Sequence, residues 1–325
     1  MTFNAFVLRK EDMLEGHVEQ WDLEELIEGD VLIDVAYSSV NYKDAMVVKQ
    51  GNLAEHSPLI PGIDLAGTVV ESKDSRFTEG QEVIATSYKI GTGHHGGYAE
   101  YARIPGNWIV PLPEGLTLRE AMVLGTAGLT AALSINKLEQ NGLHPDHGKV
   151  VVPGATGGVG SLSVEMLAKL GYHVVAGTNK LEAHDWLKQL GASEIVSRED
   201  LEEEEKAPIR QGEWAAAIDA VGGKTTSYLL TTLKRGGSIA SSGLTGGIEV
   251  ETTVMPFIGR GINWLGIDSV TCSMEERTHA WERLASDLKP SFSDEAVHEV
   301  TLDELDEVLT QVVEGNVTGR TIVRL

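Results

Sequence analysis

Short β-branched runs separated by Gly, Pro and charged residues fill the first third of the chain, at 30–40 (DVLIDVAYSSV), 62–72 (GIDLAGTVVES) and 81–86 (QEVIAT). Runs of this length between such punctuators predict antiparallel strands, so this region reads as a mostly β domain. From Gly148 the texture changes. A strand at 149–153 leads into a helical stretch at 158–169, then a strand at 172–177, a helix at 180–190 and a strand at 193–197. A strand at 214–221, a helix through Leu230 and strands at 237–243 and 262–267 continue the series. Such alternation predicts right-handed crossovers and a parallel sheet with helices on both faces. An amphipathic segment at 274–288, a strand at 296–300, a helix at 302–314 and a strand at 321–325 follow the sixth parallel strand, and are expected to return to the first domain. The run LEEEEKAP at 201–208 reads as a charged, solvent-exposed connection.

Length and composition narrow the class. With 325 residues, 42% of them hydrophobic, the chain is expected to form two domains with separate cores. No apolar run approaches the roughly 18 uninterrupted residues of a membrane span, so no bilayer crossing is expected. The amino terminus lacks the basic, apolar and small-residue regions of a secretory signal, and Cys272 is the single cysteine, which together predict a cytoplasmic protein. A net charge of −23 repels phosphate backbones and anionic lipid, leaving a small molecule as the expected partner and solubility as the plain reading of the acidity.

The chemistry concentrates at one turn. Gly154, Gly157 and Gly160 stand in a G-x-x-G-x-x-G spacing between a strand and a helix, with Gly158 beside them. A dinucleotide pyrophosphate needs a tight backbone turn, no obstructing Cβ, and a helix start that offers free N–H groups and partial positive charge. Gly157, Gly158 and Val159 are the expected donors, with the Thr156 hydroxyl beside them; a ligand-free strand-to-helix turn is the plainer alternative. At the end of the next strand, where an acidic residue normally binds the ribose of NAD, the chain reads Gly177-Thr178-Asn179-Lys180. With no carboxylate there to repel a 2′-phosphate, and with Lys180, Thr178, Asn179 and the neighbouring Arg198 available to hold it, NADP is the expected cofactor.

Taken together, SSVNYKD (38–44), PGIDLAGTV (61–69), HHGGYAEYAR (94–103), GTAGLTAAL (125–133), VPGATGGVGS (152–161), SSGLTGG (241–247), PFIGRGINWLGIDSV (256–270) and GRTIVRL (319–325) make the chain resemble the medium-chain dehydrogenase/reductase superfamily. Within it, the resemblance is to zinc-free quinone oxidoreductase and acrylyl-CoA reductase-like proteins. It implies an α/β protein with a GroES-like, mostly β catalytic domain at 1–123, completed by 270–325, and a Rossmann NADP-binding domain at 124–269 with a doubly wound parallel sheet. It also implies that Tyr42 lies against the nicotinamide end of the cofactor, and that Leu244, Ile258 and Ser269 line it from later loops. By side-chain chemistry alone, Leu244 and Ile258 read as core residues.

A catalytic zinc needs three protein ligands, and a structural zinc would need several cysteines. The adjacent His94 and His95 sit among glycines in an expected loop, so no metal is expected, and Cys272 has no neighbouring histidine to activate it. What remains is direct hydride transfer, with the protein positioning an acceptor and stabilising negative charge. The resemblance places Asn41, Tyr42, Lys43 and Asp44 at that point. Asn41 and Tyr42 can donate to an enolate or hydroquinone oxygen, Tyr42 can also deliver a proton, and a turn with Lys43 and Asp44 facing solvent is the structural alternative. The expected activity is NADPH-dependent reduction of an α,β-unsaturated carbonyl, such as an acrylyl-CoA-type thioester, or of a quinone. A non-catalytic NADP-binding protein and a zinc alcohol dehydrogenase are the rivals. A CoA substrate would require convergence of cations such as Lys43, Lys49, Arg103 and Arg260. The hydrophobic sixth strand, INWLGI, predicts a homodimer through its edge.

Overall fold

The computed structural model describes residues 1–10, 14–202, 207–292 and 296–325. Residues 203–206, the acidic centre of the 201–208 run, lie outside the described residues. Two compact units are present, one formed by 1–126, 270–278 and 291–325, the other by 127–269 and 279–290.

The first unit begins with an antiparallel hairpin that the sequence pattern does not reveal, β1 (Thr2–Lys10) and β2 (Leu14–Asp22). β1 carries a continuous buried run, Ala5 to Leu8, rather than an alternating one, because both its faces pack inside the unit: Phe6 N–H donates to the Tyr98 carbonyl at 2.8 Å, and Leu8 bridges Leu59. β3 (Val31–Val40), α1 (Tyr42–Gln50), β4 (Asp64–Ser72), β5 (Glu82–Thr86), β6 (Tyr101–Ile104) and β7 (Ile109–Pro111) follow. The expected strands at 30–40, 62–72 and 81–86 are β3, β4 and β5, and they pair antiparallel as neighbours.

α2 (Leu118–Gln140) is long and apolar enough, by length and composition, to cross a membrane. No such segment is expected from the sequence pattern; the structure buries 83% of the relevant stretch inside the protein. Gly125 interrupts its helical backbone with φ 51° and ψ −152°.

The second unit carries the alternating series: β8 (Lys149–Pro153), α3 (Gly158–Lys169), β9 (His173–Gly177), α4 (His184–Gln189), β10 (Glu194–Val196), β11 (Trp214–Asp219), α5 (Gly223–Thr232), β12 (Leu233–Ser241), α6 (Met255–Arg260) and β13 (Asn263–Gly266). Its six strands are parallel, in the spatial order β10-β9-β8-β11-β12-β13. The reversal of direction at β8 makes this a doubly wound, Rossmann-type sheet, and the fully buried side chains of β11 show that both faces are covered. β12 starts at Leu233, four residues before the sequence pattern places it. Gly236, with φ +72°, reads as a strand boundary but forms an irregularity inside the strand, opposite a register shift at Trp214/Ala216.

The amphipathic segment after Ser269 contains α7 (Met274–Leu284). Its later part, 279–290, packs with the second unit, although the sequence pattern returns all of 270–325 to the first. Trp281, Leu284 and Leu288 are completely buried there, and Arg283 Nη1 lies 2.6 Å from both Asn136 Oδ1 and Glu139 Oε2. The chain then re-enters the first unit as β14 (Val297–Val300), α8 (Leu305–Val313) and β15 (Arg320–Arg324). β15 pairs antiparallel with β3, completing a seven-stranded sheet of order β14-β15-β3-β4-β5-β7, with β6 also paired to β3.

Candidate functional site

In the second unit the glycine turn connects β8 to α3. Gly154 takes φ +62°, a conformation L side chains rarely adopt, and a Cβ on Gly160 would fall 2.3 Å from the Gly154 carbonyl oxygen. Those two glycines close the turn. Gly157 differs: a Cβ there would meet only the Gly154 carbonyl, at an ordinary 3.4 Å, and the residue is exposed. It is the N-cap of α3, no side chain caps the helix, and its N–H, expected to face a phosphate, instead donates to the Gly154 carbonyl at 3.0 Å inside the turn. The first amides of a twelve-residue helix, those of Gly158 and Val159 among them, are therefore left for an external acceptor. Thr156 is buried beside them.

At the ends of β9 and β10 the structure brings Thr178, Asn179, Lys180 and Arg198 together, since the two strands pair in parallel with Val196 opposite Gly177. The Thr178 hydroxyl accepts from the Lys180 N–H at 3.1 Å, and the Arg198 N–H donates to Asn179 Oδ1 at 2.7 Å. Burial draws the Lys180 ammonium below its usual range, against the opposing charge of Glu182. The expectation that no carboxylate stands here needs correction. Glu199 Oε1 accepts from the Asn179 amide at 3.0 Å, and Glu202 Oε1 pairs with Arg198 Nε at 2.6 Å. Both acids come from the turn after β10, a segment whose fold-back the strand-end rule does not anticipate.

In the first unit, Asn41 is the N-cap of α1, and Tyr42 is its first residue. Asp44 is not at a solvent-facing turn: it is completely buried and closes a capping box, its Oδ2 accepting from the Asn41 N–H at 2.9 Å and its Oδ1 from the Ile63 N–H at 2.8 Å. The Asn41 side-chain amide donates to Asp64 Oδ2 at 2.8 Å and also contacts Asp44 Oδ2 and Ser39 Oγ at 3.2 Å. Asp64, also completely buried, accepts from Ser39 Oγ at 2.6 Å and from the N–H and hydroxyl of Thr126 at 2.8 and 2.5 Å. The interruption of α2 at Gly125 makes this possible, because a Cβ there would lie 2.6 Å from Asp64 Oδ2. Arg320 supplies the buried counter-charge, donating from Nε to the Val123 carbonyl at 2.8 Å and from Nη1 to the Val40 carbonyl at 3.1 Å. Burial, reinforced by the charge of Asp64, pushes the Asp44 carboxyl up to about 7. Burial lowers Arg320, and the two aspartates oppose that shift. The half-buried Tyr42 has no hydroxyl hydrogen bond among the described residues.

Asp64, Arg320, Thr126 and Ser39 are missing from the sequence-derived set. A carboxylate inside the apolar run GIDLAGTVV and a guanidinium beginning the apolar TIV are signals of buried charge that were available. Leu244 and Ile258 are not core residues, being 47% and 75% exposed, on the segments that follow β12. Ser269 is half-buried at the end of the second unit's main segment. Of the cations considered for a CoA phosphate, Lys49 pairs with Asp306 at 2.6 Å, and Arg260 donates to the Leu233 and Arg210 carbonyls.

Among the described residues no group of three His, Cys, Asp or Glu is placed to hold a metal ion. His94 and His95 are both buried. The His94 ring nitrogens lie 2.9 and 3.2 Å from the carbonyls of His95 and Glu28, and His95 Nδ1 accepts from the Ile60 N–H. Burial, with smaller effects from His56 and His94, lowers His95 to about 3.

Residues 27–114 match the alcohol dehydrogenase GroES-like domain, and residues 158–286 match the zinc-binding dehydrogenase family. The chain is 54% identical to YhfP of Bacillus subtilis over 316 residues, 97% of this chain and 96% of that protein. A crystal structure of that protein with NAD bound covers 100% of both chains with a TM-score of 0.97. The acrylyl-CoA reductase AcuI of Ruegeria pomeroyi is 43% identical over 325 residues, 99% of this chain and 98% of AcuI. The yhdH oxidoreductase of Salmonella enterica, solved in complex with NADP, is 44% identical with a TM-score of 0.96 over 100% of both chains.

Proposed function

The chain belongs to the medium-chain dehydrogenase/reductase superfamily, and from that premise we propose that it uses NADPH to reduce an acrylyl-CoA-type thioester, with quinones as the second acceptor class. The observation that carries this reading is the uncapped start of α3 at a turn closed by Gly154 and Gly160, a site shaped for a pyrophosphate. The solved relatives with NADP and with NAD support a nicotinamide dinucleotide as the cofactor. When bound, the dinucleotide supplies the hydride.

The chain's own residues divide the remaining work. Thr156, Gly158 and Val159 bind the pyrophosphate at the turn that Gly157 helps to shape, while Thr178, Asn179, Lys180 and Arg198 face the adenosine ribose and its 2′-phosphate. Leu244, Ile258 and Ser269 line the cofactor from the later segments. In the first unit, the Asn41 amide is already engaged with Asp64, Asp44 and Ser39, so Asn41 orients the start of α1. Asp44, enclosed in the capping box, is a positioning residue for the same turn. Tyr42 is left as the hydrogen-bond donor to oxygen charge that develops on the acceptor, and as the source of the proton. The scheme calls on no metal ion, a reading that the chelator arm of the test checks.

The test is oxidation of NADPH by the purified protein with a panel of enoyl-CoA thioesters, simple enones and quinones, in the presence and absence of a strong chelator. Turnover of a short enoyl-CoA that resists the chelator is expected. NADPH binding without turnover of any acceptor would favour a non-catalytic dinucleotide-binding protein, and chelator-sensitive alcohol oxidation would favour a zinc enzyme.

A further inference from the structure

Resting on the dinucleotide reading above, we propose that Glu202 is a specificity-determining residue that competes with the adenosine 2′-phosphate for Arg198 and so moderates the preference for NADPH over NADH. The competition is visible in the geometry. Arg198 is held at the site by its backbone, whose N–H donates to Asn179 at the end of β9, but its Nε is already paired with Glu202 Oε1 at 2.6 Å. Glu202 is the anchored partner of the two. The same Oε1 accepts from the Thr225 hydroxyl at 3.0 Å, Thr225 is buried at the start of α5, and the Glu202 side chain is 21% exposed against 54% for Arg198.

What a 2′-phosphate gains from Arg198 is therefore a difference: the new charge-assisted bonds minus the weakening of the pair with Glu202. Repulsion between the anchored carboxylate and a phosphate carrying nearly two negative charges acts in the same direction. NADH, which lacks that phosphate, meets neither cost. Lys180, at the end of β9, is the second cation of the site, so a preference for NADPH persists but is smaller than it would be with Arg198 uncommitted.

Glu202→Gln isolates the effect, because the amide oxygen can still accept from Thr225 and Arg198 while the charge is removed. Dissociation constants for NADPH and NADH are measured for the parent protein, Glu202→Gln, Arg198→Ala and the double variant, with thermal melts confirming that each is folded. Glu202→Gln is expected to tighten NADPH about three- to fivefold, the scale of a solvent-screened ion pair, and to leave NADH within about twofold. The gain should vanish in the Arg198→Ala background and shrink as salt is raised. Unchanged NADPH affinity overturns the proposal, and so does weaker binding, which would mean that Glu202 presents Arg198 to the phosphate. A parent protein that binds neither dinucleotide would remove the cofactor reading itself, a result distinct from a silent Glu202→Gln in a protein that binds both.

Discussion

One side-chain amide joins two buried carboxylates: Asn41 Nδ2 lies 2.8 Å from Asp64 Oδ2 and 3.2 Å from Asp44 Oδ2. The N-terminal cap of α1 is thereby tied to β4, and Tyr42, the next residue, inherits its position from that tie.

The pair makes folding pH-dependent. Burial and the Asp64 charge raise Asp44 from an ordinary 3.8 to about 7 in the folded protein. A raised folded-state pKa favours the native state in full below the unfolded value, and that contribution is lost as pH rises through about 7. The melting temperature should therefore fall by several degrees between pH 5 and pH 8, from a loss of at most on the order of 4 kcal/mol. Asp44→Asn should be less stable at every pH, since its NH2 must face the Ile63 or Asn41 N–H, and should have a flatter profile. A parent profile that rises from pH 5 to pH 8 would contradict this assignment.

Lys180→Ala should weaken NADPH about tenfold, the lower end of a charge-assisted hydrogen bond because the side chain is partly exposed, and leave NADH nearly unchanged. Fluorescence titration with both cofactors measures it. Equal losses for the two would place Lys180 away from the 2′-phosphate.

Tyr42→Phe keeps the ring and removes a hydroxyl that makes no hydrogen bond among the described residues, so folding and NADPH affinity should survive. Single-turnover hydride transfer should slow by roughly a hundredfold or more, the effect of losing one charge-stabilising donor. Transfer at the parental rate would return the role to Asn41 or to an ordered water.

β13 ends the parallel sheet, with Trp264 exposed on it and Ile248, Val254, Met255 and Ile258 exposed on the segments around α6. An open strand edge beside apolar side chains favours pairing with a second copy, and we propose a homodimer formed there. Light scattering at micromolar concentration should give twice the chain mass. Trp264→Lys combined with Val254→Asp should shift the protein toward monomer, whereas a monomeric parent would exclude the assembly.

The sequence by itself determined the parallel sheet, the glycine turn and the family, because each rests on local patterns: buried β-branched runs, three-residue glycine spacing and contiguous motifs. It also placed Arg198 beside Asn179, since adjacent parallel strands carry their ends to the same edge. Tertiary structure decided the rest. The run β1 is buried on both faces, so its pattern lacks the alternation that marks a strand with one wet face. Asp44 looks solvent-facing in a chain read one residue at a time, yet Asp64, Thr126 and Arg320 converge on its turn from three distant segments. Glu202 likewise reads as part of an acidic surface run, until the turn after β10 folds it back against Arg198 and Thr225. Burial and charge pairing are properties of what surrounds a side chain in space, and local sequence carries them only where neighbours in the chain are also neighbours in the fold.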